Sequence, residues 1–160
     1  MTFYRRNLPH LQRDYKPHFI TFCTRNRWCL PIDVRGLVLS CCIHDHKEKA
    51  DVHAAIVMPD HVHILLTPML NEQRRDVYSL AELLGSIKGA SSHAINHRLG
   101  RSGSIWQEES FDHVLRRSEA LDEKIVYLLE NPVRAGIVSS AREYKWLWTA
   151  DPEIMGASDL

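Results

Sequence analysis

The sequence predicts an α+β sandwich, an antiparallel sheet with helices packed on one face, and two observations carry that reading. Short runs rich in β-branched and aromatic residues alternate with segments whose apolar residues recur at helical spacing. Two of the runs, DVHAAIVM and HVHILLTP, are separated by Pro59 and Asp60 alone, good residues for the centre of a tight turn, so they form an antiparallel hairpin.

The elements follow in order. Residues 1–17, MTFYRRNLPHLQRDYKP, are polar, basic and punctuated by proline, and read as an arm. HFITFCTRN is a strand. VRGLVLSCCIHDHKEKA is a helix with Val34, Leu37, Val38, Cys41 and Cys42 on its apolar side and a charged last turn. The hairpin comes next, then a polar loop, MLNEQRRDVY. SLAELLGSIKGASSHAINHRLG is a long helix: Leu80, Leu83, Leu84, Ile87, Ala94, Ile95 and Leu99 are its apolar positions, Lys88, Ser92, His93, Asn96 and Arg98 lie on the other side, and Gly100 ends it. IWQEESFDHVLR is extended. Ser118 caps a helix through EALDEKIVYLLEN that stops at Pro132 or Gly136. The tail holds Trp146 and Trp148, which dock on the core. Strand, helix, hairpin, helix, strand, helix is ferredoxin-like in outline. The expected organisation is one domain over 1–160, with an arm (1–17), a core (18–138) and a tail (139–160).

Composition excludes little. An apolar fraction of 44% and a charged fraction of 25% are ordinary for a globular chain. Lys+Arg and Asp+Glu both number 20, so no global field announces a polyanionic partner, although a local basic groove stays open. The four cysteines, Cys23, Cys29, Cys41 and Cys42, form no C-x-x-C pair, so neither a zinc knuckle nor a disulfide framework is suggested. The first residues lack the apolar core of a signal peptide and no segment is long enough to span a bilayer; the reading is a reduced, cytoplasmic protein.

The chemistry sits in two places. Side chains alternate along a strand, so His61 and His63 project from one face, about 7 Å apart at the backbone, while Val62, Ile64 and Leu66 enter the core. Such a pair is either two partly exposed strand residues or two nitrogen ligands converging on one divalent ion. On the last helix, Leu121, Ile125, Leu128 and Leu129 share one side and Tyr127 lies nearly opposite, with Asn131 one turn on. Tyr127 is therefore not placed as a core residue. A phenol is a poor nucleophile at neutral pH, and a bound divalent cation that orients and polarises a phosphate would make it useful.

HVHILL resembles the His-hydrophobic-His motif of the HUH endonucleases. WQEESFDHVLR followed by YLLENPVRAGIV is similar to the C-terminal half of the single-tyrosine transposases, and among these the chain most resembles the bacterial REP-associated tyrosine transposases, from FITFCTRN to GIV. The resemblance implies a ferredoxin-like domain that cleaves and rejoins single-stranded DNA beside palindromic repeats folded as hairpins. It assigns Tyr127 as the nucleophile of a 5′-phosphotyrosine intermediate, and His61, His63 and Asn131 as ligands of Mg²⁺ or Mn²⁺. It implies a nucleoid-associated enzyme acting as monomer or homodimer.

Basic residues supply candidate phosphate contacts: Arg5, Arg6, Arg13 and Lys16 in the arm, Arg25 and Arg27 beside a stackable Trp28, Lys88 and Arg98 on the long helix with Arg101 just past its end, and Arg116 and Arg117 before the tyrosine helix. Trp106 and Trp146 read as core. His113 alternates with Phe111 and either faces the site or is a sheet histidine. His93 and His97 are one helical turn apart without an evident third ligand, and nothing selects Glu108 or Glu109 as a metal ligand. The competing functions are a catalytically silent hairpin binder, a metal-dependent hydrolase using water, and a small metal-stabilised interaction module.

Overall fold

The computed structural model describes residues 15–116 and 120–157. The arm residues Arg5, Arg6 and Arg13, together with Arg117 and the expected cap Ser118, lie outside the described residues.

The sheet is built from β1 (His18–Thr24), β2 (Ala50–Val57), β3 (His61–Pro68), β6 (Trp106–Val114) and β7 (Leu147–Thr149), in the order β6-β1-β3-β2-β7. Every pairing is antiparallel. The first four strands in that order, with α1 (Ile32–Ile43) and α2 (Leu80–Leu99) as the crossovers, make the ferredoxin-like arrangement. A two-stranded ladder, β4 (Leu70–Asn71) with β5 (Asp76–Val77), occupies what the sequence suggested as a loop. The chain finishes with α3 (Leu121–Leu129), α4 (Asn131–Arg134), β7 and α5 (Glu153–Ala157).

Each element has a local cause. The β2–β3 hairpin closes on Pro59-Asp60, where the Met58 N–H donates to the His61 carbonyl at 2.8 Å. Helix α2 starts on a capping box: the Ser79 hydroxyl accepts from the Glu82 N–H and the Glu82 carboxylate accepts from the Ser79 N–H. It ends on Gly100 at φ 62°, a left-handed cap that costs a glycine little. Inside, the Trp106 indole N–H donates to Ser91 Oγ at 2.9 Å, and Ser91 Oγ donates to the Ile87 carbonyl at 2.7 Å.

Strand alternation divides the sheet into two faces. Ile20 and Phe22 of β1, Val52, Ala55 and Val57 of β2, and Val62, Ile64 and Leu66 of β3 form one face, which packs on Val34, Val38 and Cys42 of α1 and on Leu83, Ile87 and Ile95 of α2. The sequence reading left the opposite face free. It is not: Ile125, Leu128 and Leu129 of α3 pack there on Ala54, Ile56, Met58 and Leu65, with Tyr144 donating its hydroxyl proton to the Val57 carbonyl. The same apolar stripe that turns Tyr127 away from the core thus brings α3 down onto the histidine-bearing face. The tail extends the sheet, β7 pairing Leu147 with Ile56 and Thr149 with Ala54. Among the described residues no helix is long and apolar enough to cross a membrane.

Candidate active site

His61 and His63 open β3 beside β1, where register sets Cys23 opposite His61, Thr21 opposite His63 and Phe19 opposite Leu65. All six side chains occupy the face on which α3 docks. The two imidazoles are close, with ring centroids 4.8 Å apart and planes at 74°.

Both rings are held through the same atom. His61 Nδ1 donates to Asp60 Oδ1 at 2.7 Å, and His63 Nδ1 lies 2.7 Å from Thr21 Oγ1. Asp60 is fixed in turn by Arg27, whose Nε donates to Oδ2 at 3.0 Å. Burial works against the Asp60 carboxylate, but hydrogen bonds from His61 and Arg27 outweigh it and hold the carboxyl below its ordinary range. Among the described residues Nε2 of each histidine has no protein hydrogen-bond partner, so the outer nitrogen of each ring is left uncommitted. Burial first, then the neighbouring His61 and the positive Arg134, push the His63 imidazole down to about 4, which keeps it neutral and able to donate a lone pair.

Tyr127 projects from α3 and is 52% exposed. Phe19 stands between it and the histidines, its ring 5.3 Å from that of His63 and edge-on to that of Tyr127 at 6.2 Å. Two cations flank the phenol: the Arg134 guanidinium carbon lies 3.9 Å from the ring centroid and Lys124 Nζ 5.6 Å from it. Arg134 also donates from Nη2 to the Tyr127 carbonyl at 2.6 Å. That contact depends on Pro132, which has no N–H for the Leu128 carbonyl; α3 gives way to the short α4, and the turn folds Arg134 back over Tyr127. Asn131, expected one turn along the same helix, instead opens α4 across this break, half-buried. No hydrogen bond joins it to either imidazole among the described residues.

Those residues hold no group of three or more His, Cys, Asp or Glu side chains that could bind a metal ion. The histidine pair supplies two nitrogen donors, and further donors must come from an amide, solvent or substrate.

The basic candidates divide. Lys16, Arg25 and Arg116 are exposed. Arg27 is committed to Asp60 and to Cys23 Sγ, Arg98 pairs with Asp33 at 3.4 Å, and Lys88 donates to the carbonyls of Gln107 and Glu108 at 3.0 and 3.3 Å. His93 and His97 are exposed and stacked on α2, 6.4 Å apart. His113 lies opposite Phe19 and so shares the histidine face. Sequence reasoning did not single out Phe19, Thr21 or Arg134, and took Asp60 only for a turn residue. Phe19 and Thr21 share the parity of one strand face, but pairing β1 with His63 requires a register that the sequence does not state.

The family described as Transposase IS200 like matches residues 12–116, a segment that holds the histidine pair and ends before Tyr127. A Haemophilus influenzae protein named as a candidate REP-associated tyrosine transposase is 25% identical over 97 residues, covering 58% of this chain and 55% of that protein. The chain thus spans about half the length of the curated relative it matches. Among solved structures, a REP-associated tyrosine transposase bound to a REP hairpin superposes with a TM-score of 0.62 at 20% identity, over 83% of this chain and 76% of that one. A candidate transposase from Deinococcus radiodurans gives a TM-score of 0.47 at 21% identity, over 73% and 91%. The first likeness establishes a shared fold, and the family match covers well over half the sequence: the chain belongs to the IS200-like transposases.

Proposed function

We propose that this chain is a metal-dependent DNA strand transferase in which Tyr127 attacks a phosphodiester of single-stranded DNA beside a hairpin. One observation carries the proposal: the Tyr127 phenol and the His61–His63 pair occupy one face of the sheet and are joined through the single ring of Phe19. The named function of the Haemophilus relative and the hairpin held by the structural relative agree with it.

In this reading His61 and His63 hold Mg²⁺ or Mn²⁺ through Nε2, with Asn131 as a third donor. The arrangement suits that role. The Asp60 carboxylate accepts the Nδ1 proton of His61, which leaves that ring's lone pair on Nε2, and with Thr21 Oγ1 accepting from Nδ1 of His63 the second ring presents the same nitrogen. The bound ion would polarise and orient the scissile phosphate. Tyr127 Oη forms a bond to phosphorus as the bond from phosphorus to the 3′ oxygen breaks. The phenol proton leaves to solvent, the departing 3′ oxygen takes up a proton, and a 5′-phosphotyrosine and a free 3′-hydroxyl result. Attack by a second 3′-hydroxyl reverses the step without an external energy source. Arg134, over the ring and beside the histidines, adds positive charge where the pentavalent phosphate concentrates negative charge.

The test is a denaturing gel of the protein with labelled hairpin DNA carrying a single-stranded flank, with Mn²⁺ or with EDTA, beside Tyr127→Phe. A metal-dependent covalent band lost in the variant is the expected result. Cleavage that persists in Tyr127→Phe would make water the nucleophile and overturn the proposal in favour of a hydrolase. Hairpin binding with no cleavage under any condition would leave a silent DNA binder.

A further inference from the structure

At the end of β1 the chain turns through residues 24–28, and the turn is held from three sides. The Thr24 N–H donates to the Asp60 carbonyl at 2.9 Å and the Thr24 hydroxyl to the Trp28 carbonyl at 2.7 Å. The Arg25 N–H donates to the Ile105 carbonyl at 2.8 Å and Gln107 Nε2 to the Thr24 carbonyl at 3.1 Å. Asn26 and Arg27 adopt left-handed backbone at φ 55° and 53°, a conformation asparagine takes readily but arginine seldom does. The loop across from the turn is held by Asn96 Nδ2, which donates to the Gly103 carbonyl at 2.9 Å.

Between turn and loop lies a cavity of about 540 Å³ lined by Arg25, Asn26, Trp28, Arg101, Ser104 and Ile105. The Arg101 guanidinium sits 4.5 Å over the Trp28 ring. Arg27 and Arg98 nearby are ion-paired, whereas Arg25 and Arg101 form no ion pair among the described residues. Among the described residues no carboxylate lines the space. An aromatic face, two unpaired guanidinium groups, an amide and a hydroxyl together complement a nucleotide: a planar base, its polar edge and its phosphate.

We propose that this cavity binds one unpaired nucleotide of the single-stranded segment beside the hairpin, its base stacked on Trp28 and its phosphate held by Arg25 and Arg101. The inference rests on the reading of the chain as a hairpin-DNA transferase. Asp60 ties the cavity to the histidine pair: its carbonyl holds Thr24 while its carboxylate holds His61. Arg101 covers the aromatic face in this structure. An entering base takes that place and the guanidinium moves to the phosphate. Arg25 and Asn26 also border a second space, lined further by Gln107, Glu108 and Glu109, and the two glutamate carboxylates there repel a phosphodiester backbone. The site therefore reads one base rather than a run.

The experiment compares a hairpin oligonucleotide carrying a single-stranded flank with the same hairpin cut blunt, in EDTA so that no strand is cut, while an abasic nucleotide is walked through the flank. A 2-aminopurine series reports stacking directly. One flank position should lose roughly 5- to 100-fold in affinity when abasic, and 2-aminopurine there should be quenched. Trp28→Leu and the surface change Arg101→Gln should each bring the flanked hairpin toward the blunt one without weakening the blunt one. A flank tolerant of abasic sites throughout, or variants that weaken both hairpins equally, would overturn the cavity assignment while leaving the hairpin reading intact. Failure of the wild type to bind either hairpin would overturn that reading and the cavity with it.

Discussion

His63 should make the fold acid-sensitive by a calculable amount. Its imidazole is half-buried on β3 beside His61 and under the influence of Arg134, and it titrates near 4 rather than at the ordinary 6.5. The folded protein therefore resists a proton that the unfolded chain accepts. Its contribution to stability is fully present above pH 6.5 and is lost as the pH falls through 4. The gap corresponds to about 3 kcal/mol at about 1.4 kcal/mol per decade, of which about 2.5 kcal/mol should already be gone at pH 4.5. Urea unfolding at intervals from pH 7.5 to 4.5 measures it, and His63→Asn, whose amide can keep the hydrogen bond to Thr21, isolates it. The wild type should lose about 2.5 kcal/mol more than the variant across that range. Arg134→Gln should raise the His63 titration point observed by NMR, because a positive neighbour has been removed. Parallel pH profiles for wild type and His63→Asn, or a His63 titration at or above 6.5, would refute the reasoning.

Three further outcomes are expected. Asp60→Ala frees the Nδ1 of His61 and should weaken Mn²⁺ binding, measured by calorimetry, by roughly 10- to 100-fold; unchanged affinity would show that Asp60 does not orient the ring. Ser91→Ala leaves the buried Trp106 indole N–H without its acceptor and should cost about 1–3 kcal/mol in denaturant unfolding. Ser79→Ala removes one half of the capping box of α2 and should cost about 1 kcal/mol, readable as a lower melting temperature with metal affinity unchanged.

The parts of this molecule that were legible in the sequence are those whose cause is local. HVHILLTP alternates cleanly and follows Pro59-Asp60, and β3 runs over the residues the pattern names, His61–Pro68. Helix α2 carries its stop signal at Gly100, and it ends there. β7 was not legible. Its three residues, Leu147–Thr149, are too few to show a period, and it is a strand because the edge of β2 offers it partners. The site divides in the same way. The wheel of α3 foretold an exposed Tyr127, and the pleat foretold that His61 and His63 share a face. Phe19, Thr21 and Arg134 became visible only with register and chain reversal, since nothing local says that β1 lies against His63 or that Pro132 folds Arg134 back over Tyr127.

The two faces of the sheet explain why a pair of histidines survives in a core strand. Val62, Ile64 and Leu66 alternate with His61, His63 and Leu65, and the first set is sealed under α1 and α2. On the other face α3 seals Leu65 together with Ala54 and Ile56, leaving His61 and His63 only partly covered. Burying two imidazoles fully would have required a partner for every ring nitrogen. Asp60 and Thr21 supply one partner each, at Nδ1 in both rings, and no protein group among the described residues supplies the second. A strand selected only for packing would carry Val or Ile at these positions. A strand selected only for solubility would have no use for the hydrogen bonds that immobilise each ring. Each ring is thus fixed at Nδ1 by its strand or turn, and its Nε2 has no protein partner among the described residues, the property that the proposed role as a nitrogen ligand needs.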